Sequence, residues 1–379
     1  MTTVPGISHQ TNARIPALEG LRGLALLLVV LSHLWVVYPF DGLENVAPLD
    51  GWFRSGSVGV SIFLVLSGFL VTRSLLSAHG RDGPSGAALV LLRRFLRISA
   101  QVYLVLVAVV VLADIDSTDT ASEASTTNSA RTIATYTWNW YVREHAMEAR
   151  SDLGHLWYLS VELHVFLALA IAIALWGKRR LALISAVVGL IVAVTWWRWH
   201  AYDVEGWYSA SLRTTTRADA ALYGILAGLL WDRAQAWRHE AASVLGAATL
   251  VIIGVVLSTS QLDIGAYFKV QGIVIAVAAT LFVMAASVDE STSSPAARIF
   301  AASPLRILGT VSLPLYVWHL PVYWFISRHT TSWSNLSRTL VTIVTLGALV
   351  FLLHRFVDEP VRRWTSMIRR SHAETARTV

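Results

Sequence analysis

The sequence predicts an all-α, polytopic membrane protein of about ten transmembrane helices, with both termini cytoplasmic. Three observations carry that prediction. Of the 379 residues, 55% are hydrophobic and only 14% charged, where a soluble domain would carry about a quarter charged. Apolar stretches long enough to cross a ~30 Å hydrocarbon core recur along the whole chain, giving a mean hydropathy of +0.56. The basic residues bunch in alternate loops, as the positive-inside rule requires.

The spans read in order as 17–38, 56–77, 97–113, 155–176, 181–199, 217–232, 241–258, 267–287, 305–327 and 338–357. The first is ALEGLRGLALLLVVLSHLWVVYP; no basic region or cleavage site precedes it, so it stays as a signal anchor. The second, GVSIFLVLSGFL, carries small residues at helix-packing positions. The sixth is short and interrupted by glycine, and the ninth contains Pro314 and Pro321. An even number of spans puts the termini on one side. Arg73, Arg81, Arg93, Arg94 and Arg97, then Lys178, Arg179 and Arg180, then Arg362, Arg363, Arg369 and Arg370 mark that side as cytoplasmic. The chain thus divides into a cytoplasmic segment 1–16, a transmembrane domain 17–364 and a cytoplasmic tail 365–379.

Composition also excludes. Without cysteine there are no disulfides, thiolate nucleophiles or Cys-ligated metals. The pI near 9.8 does not indicate nucleic acid, because the charges sit in short loops between spans. The long loop 114–154 falls outside; its first half is rich in Ser, Thr and Asp and reads as solvated. It is an ordinary loop or a lid over an external acceptor. The aromatic stretch TWWRWHAYDVEGWY at 195–208 is an interfacial belt or a sugar-stacking platform.

Ionisable groups inside spans are costly, which makes each a functional candidate. Arg22 and His33 lie eleven residues apart, about three helical turns and about 16 Å, on one side of the first span. Glu19 stands at i,i+3 from Arg22 and can hold its guanidinium. Desolvation favours the neutral imidazole of His33, which can then accept a proton. Arg93, Arg94 and Arg97, in LLRRFLRIS, suit phosphate binding or simple anchoring at the membrane surface. In span four His155 and Glu162 share a face, and Glu162 can orient a histidine or contact a substrate. Arg217 and Asp219 open span six on the outer side. His319 lies in LPLYVWHLPVYW, whose prolines are tolerable only where freed backbone groups find partners; this suggests a cavity wall. There is no GxxxxGK[ST], HExxH or GxSxG pattern and no carboxylate cluster with metal spacing, so no metal site is expected.

Taken together, these pieces resemble the acyltransferase-3 family of integral membrane acyltransferases. The matching pieces are Arg22-x10-His33, GVSIFLVLSGFL, RFLR at Arg94–Arg97 and LWYLSVEL around Glu162. RADAALYG at Arg217–Asp219, SLPLYVWHLPV around His319 and DEPVRRW complete them, in order from about residue 14 to 364. The resemblance implies a bacterial plasma-membrane enzyme that takes an acyl group, often acetyl, from cytoplasmic acyl-CoA. The acceptor would be a hydroxyl of a carbohydrate, an envelope glycolipid or a secondary metabolite such as a macrolide. It makes His33, Arg22 and Glu162 the catalytic candidates and Arg93, Arg94 and Arg97 the acyl-CoA contacts. Arg217, Asp219, His319 and Trp157 are the acceptor contacts. Many members append an SGNH-type domain, for which this sequence leaves no room after its last span; transfer is then completed by the membrane domain or a separate partner. The family's span-four pattern W-Ser-Leu-x-x-E is here Trp157-Tyr158-Leu159 and Glu162-Leu163-His164, which points to a divergent acceptor. A proton-coupled transporter of lipid-linked glycans is the rival reading, since buried Arg, His and Glu would serve it too.

Overall fold

The computed structural model describes residues 15–40, 46, 50–234, 236, 239–259, 264–288 and 294–378, with side chains as far as residue 368. Residues 1–14 of the expected N-terminal segment and the side chains of Arg369 and Arg370 lie outside it. The described chain is 89% helical with no strand among its described residues. In order it forms α1 (Pro16–Val37), α2 (Asp50–Arg54), α3 (Gly56–Ile115), α4 (Glu123–Ala134) and α5 (Trp138–Glu144). A 3-10 turn (Ser151–Leu156) leads into α6 (Trp157–Trp176), followed by α7 (Arg180–Leu212), α8 (Thr214–Ala234) and α9 (Ala241–Ser258). Next, α10 (Ile264–Ala266) passes through a π-helical turn (Tyr267–Gln271) into α11 (Gly272–Val288). The chain closes with α12 (Pro295–Phe300), α13 (Ser303–Thr310), α14 (Ser312–His329), α15 (Asn335–Leu353), a second π-helical turn (His354–Asp358) and α16 (Glu359–Thr378).

Seven of these segments are long and apolar enough to cross a membrane among the described residues. The 60-residue α3 would be about 90 Å long if straight, three times the hydrocarbon thickness. It is instead a hairpin. Gly83 takes φ 66°, ψ −153° just before Pro84, a backbone state open to glycine. As a result Arg94 reaches Ser67 at 3.2 Å, residues that a straight helix would hold about 40 Å apart. Spans two and three of the sequence reading are the two halves of this hairpin. The short sixth span is α8, whose Arg217 and Asp219 keep it outside the apolar set.

The expected span 305–327 is not one helix. It breaks at Val311 into α13 and α14, and α14 carries Pro321 in its interior. The small residues of span two act as packing positions, as read. A Cβ at Gly68 would sit 2.4 Å from the Ala221 carbonyl oxygen of α8, so only glycine permits this approach of the two helices. Packing of α1, α3, α6 and α14 around one buried core brings their polar residues to the bundle interior, where such groups must face one another rather than lipid.

The first half of the 114–154 segment is largely exposed or half-buried, as the sequence reading of a solvated stretch expects, but it is ordered as helix and tied down by side-chain contacts. Ser122 caps α4 by accepting from the Ser125 N–H at 3.1 Å, and Trp138 is fully buried. Arg150 is also buried, and its guanidinium reaches Asp152 at 3.0 and 2.7 Å, Asp119 at 2.7 Å and Thr126 at 2.9 Å. Ser, Thr and Asp in this stretch therefore serve as caps and ion-pair partners. The Asp119 carboxyl is pushed up by burial. The Arg150 hydrogen bond, the Ala121 N–H and the charges of Arg150 and Arg328 outweigh this and hold it below its ordinary value.

A depressed carboxyl stabilises the fold above its unfolded pKa, about 3.9, and loses that contribution as pH falls through its folded value. Asp119→Asn should therefore cost about 1–3 kcal/mol at neutral pH, read as a lower thermal midpoint in detergent. The gap between wild type and variant should close below about pH 4; a gap that persists at acid pH would contradict this assignment.

Candidate active site

Three histidines from three elements meet in the bundle. His33 of α1 stacks on His319 of α14 with ring centroids 5.0 Å apart, and His155 of the 3-10 turn packs edge-on against His319 at 4.7 Å. His33 Nδ1 lies 2.8 Å from His319 Nε2. His319 Nδ1 faces the Tyr316 and Leu315 carbonyl oxygens at 2.7 and 3.2 Å. Carbonyls only accept, so His319 carries its proton on Nδ1 and offers a lone pair at Nε2. His33 must then donate from Nδ1, which leaves its Nε2 without hydrogen. Of the three, His33 alone is partly exposed; His155 and His319 are buried. The arrangement orients one accessible imidazole nitrogen as a proton acceptor.

Pro321 explains the place of His155. It lacks an N–H, so the carbonyl four residues back, that of Val317, has no helical donor. His155 Nε2 donates to it at 3.1 Å. The sequence reading that the prolines of this span leave backbone groups needing partners is thus met by a histidine 162 residues away.

Arginines gather on the side of α1 toward its N-terminus. Arg22 contacts Glu19 at 3.4 Å, and its charge is felt by Arg94 and Arg97 of α3. Arg94 donates to Glu162 at 2.8 Å and lies over the Phe166 ring at 4.6 Å. Arg97 donates to Asp358 at 3.1 Å, a buried carboxylate that also pairs with Arg362 at 2.8 Å. Arg93 is half-buried on the same helix. Glu162 therefore does not meet His155. It holds Arg94 and accepts from the Tyr158 hydroxyl at 2.9 Å. Tyr158 in turn packs against Tyr316, which borders His155 and His319. This aromatic path joins the arginine cluster to the histidines.

The residues read as acceptor contacts divide. His319 belongs to the histidine cluster. Arg217 is sandwiched at 5.4 Å from both the Trp157 and Tyr267 rings and donates to the Tyr267 hydroxyl at 2.6 Å. Asp219 is engaged by the buried Arg198 of α7. Sequence reasoning gave no role to Arg198, Asp358, Tyr158 or Tyr267, although Tyr158 and Asp358 stand in the quoted stretches LWYLSVEL and DEPVRRW. An arginine inside TWWRWH was a signal that a carboxylate lay nearby, and Asp219 was the candidate on the same outer side. For Asp358 the motif named no partner, because Arg97 lies 261 residues away. Among the described residues no group of three or more His, Cys, Asp or Glu is arranged to hold a metal ion.

The family model described as "Acyltransferase domain" matches residues 15–354, which contain every site residue above except Asp358 and Arg362. The chain belongs to this acyltransferase-3 family. Similar proteins include the peptidoglycan O-acetyltransferase OatA of Listeria monocytogenes, 26% identical over 365 residues, covering 92% of this chain and 56% of that protein. The putative peptidoglycan O-acetyltransferase YrhL of Bacillus subtilis is 26% identical, over 93% of this chain and 56% of its own length. The O-acetyltransferase OatA of Staphylococcus aureus is 24% identical, over 92% and 57%. The chain thus spans just over half the length of these relatives. No solved structure matches. Family and apolar helices together make this a multi-pass membrane protein.

Pro321→Ala tests the coupling of helix and histidine. It returns a donor to Val317 O and displaces His155, one hydrogen bond gained against one lost, each worth about 1 kcal/mol. The thermal midpoint should move little while His155 becomes more reactive to carbethoxylation. Unchanged His155 reactivity would show that the proline does not place it.

Proposed function

We propose that this protein is a membrane O-acyltransferase that moves an acetyl group from cytoplasmic acyl-CoA to a hydroxyl of a bacterial envelope glycan. Peptidoglycan is the acceptor class that the names of the Listeria and Bacillus relatives support. The observation that carries the reading is the hydrogen-bond order Tyr316 carbonyl, His319, His33, which leaves His33 Nε2 as a base. We place ten crossings with both termini in the cytoplasm, the α3 hairpin counting twice, on the strength of the arginine-rich loops.

In this scheme Arg94 and Arg97, flanked by Arg93, receive the phosphates of CoA at the cytoplasmic surface, a ligand suited to guanidinium forks. Glu162 and Asp358 are positioning residues that aim those guanidiniums. Arg22, about three turns nearer the cytoplasm than His33, joins them on the CoA side, toward a phosphate. His33 Nε2 removes the proton of the acceptor hydroxyl as its oxygen attacks the thioester carbonyl. The C–S bond breaks, and the CoA thiolate takes the proton back from Nε2, leaving an ester and free thiol. His319 holds His33 in the required tautomer and shares the imidazolium charge. Arg217 and Trp157, on the outer side, contact the acceptor.

The test uses membranes bearing wild type or His33→Ala, acyl-labelled acetyl-CoA and envelope glycan. Label should pass to a glycan ester, and His33→Ala should slow transfer by about 10²–10⁴-fold. Near-normal transfer by His33→Ala would overturn the base assignment. No transfer by well-folded wild type from any acyl-CoA would favour a transporter.

A further inference from the structure

The 114–154 segment and α14 enclose a cleft of about 720 Å³, within the range of small-ligand sites, roughly 300–1,000 Å³. The mechanism makes no use of it. We infer that it is a docking site for neutral sugar units of the acceptor glycan, an inference that rests on the acyltransferase reading.

Four observations support this. First, the cleft is built rather than draped. The Arg150, Asp119 and Asp152 network forms its floor and spends most of the Arg150 donors internally, leaving a rigid wall. Second, its lining combines an aromatic ring, Trp324, with the polar side chains of Thr118, Ser122, Ser125 and Asn128. Pyranosides offer a matching mixture of apolar faces and hydroxyls. Third, Arg328, which also lines the cleft, is held by Asp116 at 3.5 Å and Asp119 at 3.6 Å, so the second arginine of the lining is fixed within the protein like the first. Fourth, its charged lining is Arg150 and Arg328 against Asp119, Asp152 and Glu148. Without excess positive charge it does not suit phosphate or a carboxylate, which leaves a neutral polyol.

Its place in the fold gives it a purpose. Trp324 follows His319 by five residues on α14, about 7.5 Å along the axis, and Arg328 lies one turn further. The arginine cluster lies the other way, beside the opposite end of α1. A glycan held at the cleft approaches the histidines from the side opposite to the acyl-CoA contacts, which keeps donor and acceptor on separate routes to His33.

The experiment measures binding of tetra-N-acetylchitotetraose to the full chain in nanodiscs by saturation-transfer NMR and calorimetry, with inorganic phosphate as the charged control. Wild type and His33→Ala should bind the oligosaccharide alike and ignore phosphate. Asn128→Trp, which fills the cleft from the partly exposed face of α4, should weaken binding about tenfold or more at unchanged thermal midpoint. Trp324→Ala should weaken it as much while also lowering the midpoint, because Trp324 packs against a buried cluster. In the transfer assay they should raise the glycan KM and leave the acetyl-CoA KM alone. No oligosaccharide binding by wild type, or binding indifferent to Asn128→Trp, would overturn the inference even if transfer is observed. Cleft-dependent binding without acyl transfer would uphold the glycan site and refute the acyltransferase reading instead.

Discussion

The hydrogen bond between His33 and His319 joins the first long helix to the ninth expected span across nearly the whole sequence, and its direction is set by backbone carbonyls. A helix normally keeps every carbonyl occupied by the N–H four residues on. In α14 His319 Nδ1 turns back onto the carbonyls of Leu315 and Tyr316. Pro321 leaves that of Val317 for His155. One stretch of helix thereby anchors two imidazoles, and His319 fixes which nitrogen of His33 is free. A carboxylate in the same place would orient His33 as well, but it would bring a charge into the apolar bundle, where desolvation is costly.

The arginine cluster faces that cost directly. Arg22, Arg94 and Arg97 converge, and each has an acidic partner: Glu19, Glu162 and Asp358. Asp358 is shared with Arg362, so positive charge exceeds negative among these groups. Arg94 keeps a buried Nε without an acceptor among the described residues. A cluster built this way is tolerable because its arginines remain partly exposed, and it gains most when an anion with several oxygens completes it. The cluster and the histidines are separated along α1 by about three turns, so a bound donor must be elongated to serve both.

Much of this was legible in the sequence because it is local. The Arg22 to His33 spacing is a statement about one helix, and the Glu19 to Arg22 contact lies within one turn. Span positions follow from hydropathy, and all ten expected stretches fall on helix. What escaped is pairing between distant segments. The seven-residue spacing put Glu162 on one face with His155, yet His155 lies in the preceding 3-10 turn and the α3 hairpin brings Arg94 to Glu162 instead. Arg97 found Asp358 and Asp219 found Arg198 by tertiary packing that no spacing reveals. In the 114–154 segment composition marked the solvated surface but not its order: Ser, Thr and Asp mark both solvated loops and helix caps, and the burial of Arg150 and Trp138 beyond that stretch is tertiary.

The account stands on His33 presenting a bare Nε2, and nitrogen-15 NMR of the histidine-labelled protein at neutral pH reads that directly. His33 should show a protonated Nδ1 and an unprotonated Nε2, and His319→Ala should release it into a mixture of tautomers. A wild-type His33 protonated at Nε2, or one unaffected by loss of His319, would contradict the account.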